Sequence, residues 1–327
     1  MQEKGHAPTR ALFRAVIHCL CDMDNPENQF LKLLQMQLSH HEPSCQIYNF
    51  FIDGAGHAMK PELAREVFEM MGRSGIVPNL SSDILMLQSY LKSGRISDAL
   101  NFLNDVGKRR AIGRKIYDTM VVGLCKANKP DIALYFLREM RYNQVVPSLE
   151  CYEVLVQLLC WNKKYDTVVH LIGDMEKVGR HVSSFIGNVL LLHSMKTKEL
   201  YEAWVRSRDM HDETSFGLML GQLIHAFSCR TSVNQHIGDL EEEIEQCFPL
   251  DIYTYNMLLR LLSISEVDLA RDYFYRIHQK GYETNRWSYD ILVHGLFKHN
   301  RTAEAKIWLE EMFRKGFDPT KRTQLFL

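Results

Sequence analysis

The sequence lacks an excess of charge of either sign. It has 39 lysines and arginines against 40 aspartates and glutamates, a net charge of −1 over 327 residues. Proteins that neutralise many phosphate groups usually carry a basic surplus. This balance argues against strong non-specific nucleic-acid binding, so any contact with nucleic acid must depend on local groups.

Paired cysteines and long apolar runs are also lacking. None of the eight cysteines forms a CxxC pair, and most lie in apolar stretches such as VQLLCWN. This pattern predicts buried thiols in a reducing compartment and no metal site. No stretch reaches about 18 uninterrupted apolar residues, so we expect no membrane span.

No catalytic motif stands out in the sequence. A P-loop, a GxSxG nucleophile elbow and an HExxH zinc motif are all absent, and the 14 histidines are scattered. We therefore expect that the protein is not an enzyme. We also expect that it needs no cofactor and acts on no small-molecule substrate.

What the sequence does contain is an internal repeat. Three 35-residue segments begin at Cys45, Arg114 and Arg286. Each has Tyr and then Asn or Asp near its start, Gly at the tenth place and Ala at the twentieth. Each also has Met at the twenty-seventh place and Pro one residue before its end. Self-similarity at a fixed period of this length indicates a repeat architecture.

The remaining stretches fit the same register, with a weaker pattern between 184 and 251. The predicted repeats are 10–44, 45–79, 80–113, 114–148, 149–183, 184–212, 213–251, 252–285 and 286–320. Residues 1–9 match the end of the last repeat, MFRKGFDPT, and are expected to be the tail of a truncated repeat. We therefore expect this chain to be a fragment, with 321–327 as a C-terminal tail.

Each repeat predicts two amphipathic helices. In the repeat 45–79, Tyr48, Phe51, Ile52 and Ala55 recur at spacings of three and four. A helical pair of this length cannot bury both apolar faces alone, so neighbouring repeats must stack. The expected fold is all-α, a right-handed α-solenoid of about nine helix-turn-helix repeats with a concave groove lined by the first helices.

These segments resemble a known family. YNFFIDGAGHAMKPELAREVFEMMGRSGIVPN is similar to a pentatricopeptide repeat (PPR), as are YDTMVVGLCKANKPDIALYFLREM and YDILVHGLFKHNRTAEAKIWLEEMFRKGFDP. The tetratricopeptide repeat has a 34-residue period, and its Trp, Leu-Gly and Tyr pattern is absent here. The resemblance implies a plant organellar protein that binds single-stranded RNA and reads about one base per repeat.

In this family, the fifth and last residues of a repeat read the base. Two pairs, Asn49 with Asn79 and Asn256 with Asn285, resemble a combination associated with pyrimidines. A third pair, Asn188 with Asp212, resembles the uracil-reading combination if its repeat ends at Asp212. An Asn amide both donates and accepts, so it suits a base edge. Asn near the first turn of a helix is also common for capping alone.

Six repeats depart from the family pattern at these places. Their pairs are Arg14 with Ser44, Ile84 with Gly113, Asp118 with Ser148, Glu153 with Ser183, Gly217 with Asp251, and Asp290 with Thr320. A carboxylate can accept from a base amino group but repels phosphate. We keep the pairs of Asp118 and Asp290 as candidate RNA-binding residues, with a solvated or protein-facing role as the alternative.

Aromatic and charged groups offer further candidates. Tyr253 and Trp287, at the second place of their repeats, either stack on a base or pack between repeats. The segment GKRRAIGRK (107–115) is either a phosphate contact or a solvated turn. The segment DLEEEIEQ (239–246) predicts an exposed acidic helix face that could meet a basic protein.

Two functions remain open from the sequence. The first is an organellar RNA-binding adaptor that acts in RNA processing, splicing, stability or translation. The alternative is a structural or protein-binding subunit of an organellar ribonucleoprotein such as the mitochondrial ribosome. The expected compartment is the mitochondrion, with the chloroplast as the alternative.

Overall fold

The computed structural model describes residues 10–21, 26–40, 42–208, 215–229, 237–321 and 323–326. These residues form α-helices and one short 3-10 helix (Thr323–Phe326), with no strand among them. The α-helices are α1 (Arg10–Cys21), α2 (Pro26–His40), α3 (Cys45–His57), α4 (Pro61–Arg73), α5 (Leu80–Lys92), α6 (Ile96–Arg109), α7 (Arg114–Lys126), α8 (Pro130–Tyr142), α9 (Leu149–Trp161), α10 (Tyr165–Lys177), α11 (Ser184–Ser194), α12 (Glu199–Arg208), α13 (Ser215–Cys229), α14 (Ile237–Cys247), α15 (Ile252–Ser265), α16 (Val267–Gln279), α17 (Arg286–Lys298) and α18 (Thr302–Arg314). The predicted tail 1–9 lies outside the described residues.

Helix α4 shows how the sequence pattern forms these elements. Leu63, Ala64, Val67 and Met71 recur at spacings of three and four, and all four are buried. Pro61 occupies the first turn, where its missing N–H costs no hydrogen bond. One face of the helix therefore joins the core while the other remains in water.

Left-handed residues end most of the helices. They follow the first helix of a predicted repeat at Met59, Gly94, Asn128, Lys163 and Asn300, and the second at Gly75, Gln144, Gly179, Gly281 and Gly316. The positive φ angle reverses the chain and lets the last carbonyl groups find donors. The recurrence of this turn gives these helical pairs the same connection between their two helices.

The chain divides into two compact halves, residues 1–158 and 159–327. In the N-terminal half, the first helices α1, α3, α5 and α7 pack in a row, each against the next. The Tyr48 hydroxyl donates to Ser74 Oγ (2.8 Å) and so ties a first helix to the end of its second helix. Phe30 and Phe51 meet edge to face in the core at 5.3 Å.

The C-terminal half is built from the same hairpins. Helices α15 and α17 pack side by side, and each packs on the helix that follows it. Phe274, Tyr289 and Trp308 form an aromatic cluster with ring centroids about 5–6 Å apart. Around α11 to α14 the order is less regular, because α11 contacts α12, α13 and α15.

Two absences hold for the described part of the chain. None of its helices is long and apolar enough to cross a membrane. Nor do its His, Cys, Asp and Glu residues form a group of three or more that could hold a metal ion.

Candidate nucleic-acid interface

The candidate base-reading residues lie where one repeat ends and the next first helix begins. Asn79 is the N-cap of α5, and its Oδ1 accepts from the backbone N–H of Ser82 (3.0 Å). The Ser82 hydroxyl in turn accepts from the backbone N–H of Asn79 (3.2 Å). This reciprocal capping box fixes the Asn79 amide, because a backbone N–H can only donate.

Asn49, on the preceding first helix, is joined to this cap. Its Nδ2 donates to Asn79 Oδ1 at 3.4 Å, a long hydrogen bond. The Nδ2 group of Asn79 makes no hydrogen bond to the described residues, and Asn79 is exposed. A cleft of about 660 Å³ opens beside the pair and reaches Gln46 and Ile84. The pair thus leaves amide donors beside an open space.

The same arrangement recurs at Asn256 and Asn285 in the C-terminal half. Asn285 caps α17, and its Oδ1 accepts from Asn256 Nδ2 at 3.2 Å. The hydroxyl of Ser288 donates to Asn256 Oδ1 at 2.7 Å. Both atoms of the Asn256 amide are therefore engaged, and this residue is only 6% exposed. Asn285 keeps the more accessible amide of this pair.

The carboxylates at the fifth places are held in a related way. Asp118 Oδ1 accepts from the Ser148 backbone N–H at 3.2 Å, and Asp290 Oδ1 accepts from the Thr320 hydroxyl at 3.3 Å. Each carboxylate also has an arginine one turn earlier, with Arg114 Nε 3.4 Å from Asp118 Oδ2. Internal hydrogen bonds and a paired cation therefore occupy much of these groups.

Asn188 has a partner that is distant in sequence. Its Nδ2 donates to Asp251 Oδ1 at 2.9 Å, and its Oδ1 accepts from the Thr254 hydroxyl at 2.8 Å. Asp251 caps α15 through the Thr254 backbone N–H. The repeat register predicts Asp251 as the partner of Gly217 and Asp212 as the partner of Asn188. The structure instead joins Asn188 to Asp251, and Asp212 lies outside the described residues.

The other departing places offer less to a base. Ile84 has no polar group, and Gly113 caps α7 without a side chain. Gly217 is half-buried in α13, and Glu153 is half-buried in α9. Ser183 caps α11 through its hydroxyl, which accepts from the Ile186 backbone N–H. The side chain of Arg14 lies outside the described residues.

The second-place aromatic side chains are open to solvent. Tyr253 is 58% exposed and Trp287 54%, so each ring has a free face in the described structure. The Arg286 guanidinium lies 6.0 Å from the centre of the Trp287 ring, a cation–π distance. Base–aromatic stacking is worth about 1–3 kcal/mol per base and does not depend strongly on sequence.

The basic segment 107–115 differs from its sequence interpretation. Arg109 and Arg110 both pair with the buried carboxylate of Asp83, at 2.9 and 3.1 Å. Lys108 pairs with Asp105 at 2.9 Å. Burial raises the pKa of Asp83, and the two arginines lower it again in part. Most positive charge of this segment is therefore matched within the protein, which weakens its case as a phosphate contact.

The acidic segment 239–246 is only partly an exposed face. Glu241 is 4% exposed and accepts from the Tyr273 hydroxyl, from Arg276 Nη2 (2.8 Å) and from Lys280 Nζ. The other carboxylates of α14 are exposed. The prediction of an exposed acidic face is wrong for Glu241, because α16 and the lysine that follows it supply two cations and a hydroxyl that compensate its burial.

Sequence reasoning missed one recurrent member of these sites. It is the Ser or Thr three residues after the capping residue, seen as Ser82, Thr254 and Ser288. All three side chains are buried. The Ser/Thr spacing alone would have indicated a capping box.

The described helices, and the capped amides and carboxylates found in each half, define a helical-repeat protein with candidate base-binding residues. The PPR repeat profile matches residues 46–76, 115–145 and 287–317. Pentatricopeptide repeat-containing protein At1g71210, mitochondrial, from Arabidopsis thaliana, is 46% identical over 98% of this chain and 36% of its own length. The chain belongs to the pentatricopeptide repeat family, as its sequence predicts.

One solved structure supports the fold. The crystal structure of PPR10 from maize has a TM-score of 0.55 at 18% identity, covering 99% of this chain and 47% of PPR10. PPR10 in complex with an 18-nt psaJ RNA element scores 0.46 at 18% identity, covering 98% of this chain and 51% of that one. The prediction of an all-α repeat solenoid is confirmed. The chain spans about a third of At1g71210 and about half of PPR10.

Proposed function

We propose that this chain is a mitochondrial module that binds single-stranded RNA and serves RNA processing, splicing, stability or translation. The main support is a recurrent side-chain hydrogen bond. It joins the Asn at the fifth place of a repeat to the residue that caps the next first helix. The link occurs in both halves, at Asn49–Asn79 and Asn256–Asn285. Repeats of this family read about one base each with two or three side chains.

The chemistry of these pairs suits a base edge. The cap turns the side-chain oxygens of Asn79 and Asn285 towards the backbone N–H groups of the next helix, so the amide nitrogens of these two residues are left as donors. Donors of fixed direction lose little conformational entropy when a base binds. Exposed Tyr253 and Trp287 add stacking surface at the second places.

The compartment follows from the 46% identical relative. At1g71210 is a mitochondrial protein, and the sequence resemblance covers almost the whole of this chain. This supports the mitochondrion over the chloroplast. Buried free cysteines agree with a reducing compartment.

The test uses a double variant of the two linked asparagines. Wild type, Asn49→Ala/Asn256→Ala and a matched control, Asn101→Ala/Asn104→Ala, are titrated against pyrimidine-rich oligonucleotides by fluorescence anisotropy. Both control residues are exposed on the second helix α6. We expect the first pair to weaken binding roughly fivefold to a hundredfold, because each substitution removes a hydrogen bond that orients a capping amide, worth about 0.5–1.5 kcal/mol. Equal affinities for the two double variants would refute base reading.

The ion pairs of segment 107–115 favour a second candidate, a protein-binding subunit of an organellar ribonucleoprotein. Arg109 and Arg110 are committed to Asp83 and leave less charge for phosphate. This candidate predicts that the purified chain binds no RNA even at low salt. It also predicts stoichiometric co-purification with a protein complex.

A further inference from the structure

We infer that Asn188 and Asp251 together read a single nucleotide. The extra helical pair between them, α13 and α14, then has no nucleotide of its own. This rests on the proposed function, because it concerns how RNA would lie along the same row of sites. The bound RNA would then be one nucleotide shorter than a count of helical hairpins suggests.

The first observation is the spacing of linked residues. Asn49 and Asn79 are 30 positions apart, Asp118 and Ser148 also 30, and Asn256 and Asn285 are 29. Asn188 and Asp251 are 63 apart, more than twice the usual interval. Their geometry is nonetheless the same, with an Asn Nδ2 donating to the capping residue of the next first helix.

The second observation is a hydrogen bond made by the first residue of three first helices, α3, α11 and α17. Cys45 Sγ donates to the carbonyl oxygen of Val77, and Arg286 Nη2 donates to that of Pro319. Ser184 Oγ donates to the carbonyl oxygen of Pro249 at 2.6 Å. The segment before Asp251 therefore lies on the first turn of α11, as the end of an ordinary repeat lies on its own first helix.

Close packing supports the same arrangement. A Cβ placed on Gly187 would come within 2.3 Å of the Phe248 ring, so glycine is needed for this approach. Helix α11 also contacts α15 directly. The segment around Phe248 thus packs on α11, and the first helices α11 and α15 lie side by side although α13 and α14 stand between them in the sequence.

The extra helices are held elsewhere. Gly221 in α13 packs under the Trp204 indole of α12, where a Cβ would lie 2.6 Å from Nε1. Glu241 in α14 is held by Arg276 of α16 and by Lys280, the residue after that helix. At its predicted fifth place, α13 has Gly217, which offers no side-chain group to a base. The extra pair therefore supplies packing but no reading residue.

The two neighbouring positions differ in chemistry. Asp251 is a carboxylate and Asn285 an amide, while Asn188 and Asn256 are both asparagines. Asp251 Oδ2 makes no hydrogen bond to the described residues, so this position adds an acceptor where Asn285 adds donors. Exchanging the two capping residues should exchange the base preferences. Asn and Asp are equally good N-caps, so the fold should tolerate the change.

The experiment selects RNA from a random single-stranded pool with five proteins: wild type, Asn188→Ser, Asp251→Asn, Asn285→Asp and the double exchange of Asp251 and Asn285. Sequencing of the enriched RNA locates the nucleotide whose preference changes in each variant. We expect Asn188→Ser and Asp251→Asn to change the same nucleotide, and Asn285→Asp to change the nucleotide directly adjacent to it. The double variant should exchange the two preferences at those places.

Three results would overturn the inference. Different nucleotides for Asn188→Ser and Asp251→Asn would give the extra helical pair a nucleotide of its own. An effect of Asn285→Asp without any effect of Asp251→Asn would remove Asn188 and Asp251 from base reading, although RNA binding would stand. Failure of the wild type to enrich any RNA would instead refute the proposed function, and the inference with it.

Discussion

Replacing Glu241 by glutamine should loosen the attachment of α14 to α16. The Glu241 side chain is 5% exposed, and its oxygens accept from Tyr273, Arg276 and Lys280. Glutamine keeps the shape and one acceptor but removes the negative charge. Two cations would then face each other beside a buried tyrosine whose hydroxyl still needs an acceptor.

The expected cost follows from the exposure of the partners. Breaking a fully buried ion pair costs about 3–5 kcal/mol. The side chains of Arg276 and Lys280 are 40% and 35% exposed, so water can solvate much of their charge. We therefore expect about 2 kcal/mol, below the fully buried range. On the same helix, Glu242 is exposed, and Glu242→Gln should cost less than about 0.5 kcal/mol.

Hydrogen exchange is a suitable assay because repeat proteins open locally rather than all at once. A loss of about 2 kcal/mol corresponds to a roughly thirtyfold faster exchange of amides in α14 and in the facing part of α16. Peptides from residues 45–142 should be unaffected and serve as an internal reference. Equal protection in Glu241→Gln and Glu242→Gln would refute the burial argument.

Three further predictions concern packing, turns and thiols. Gly187→Ala should destabilise the protein by about 1–3 kcal/mol, because the added Cβ would collide with the Phe248 ring. At Gly173 an added Cβ meets no neighbour, so Gly173→Ala should stabilise the protein by up to about 1 kcal/mol. Thermal unfolding of the two variants would measure both effects. Lys163 has a φ of 56°, so Lys163→Gly should stabilise by about 1 kcal/mol; an unchanged midpoint would contradict the strain. Burial raises the pKa of Cys125 to about 12, so little reactive thiolate forms there at pH 8. A disulfide reagent should therefore label the exposed Cys19 before Cys125. Equal labelling of the two cysteines by mass spectrometry would contradict this.

The fold class could be predicted because the repeat signal is long-range and redundant. Gly, Ala, Met and Pro at fixed places each report a packing or turn requirement, and three segments carry the whole set. The family could be recognised from the same residues. Both predictions are confirmed by the PPR profile and by the fold of PPR10. The exact boundaries of the repeats and the base-reading residues remain predictions.

The partners of individual charges could not be predicted. A charge run along the sequence shows which groups are present but not what lies opposite them in the fold. Arg109 and Arg110 meet Asp83, some 26 residues earlier in the chain, and Glu241 meets residues of α16. Counting places along the chain also could not join Asn188 to Asp251, because the interruption between them leaves no local signal.

The capping role of the last residue limits how specificity can change. Asn79, Asp251 and Asn285 each begin a helix, and removing such a cap costs about 0.5–2 kcal/mol. Only Asn, Asp, Ser, Thr and Gly begin helices well. Changes of base preference that keep the stability of the protein are therefore limited to these five residues at the capping position. Evolution or design can exchange one of these residues for another at little cost in stability. Any other residue at this position would also weaken the helix that it begins.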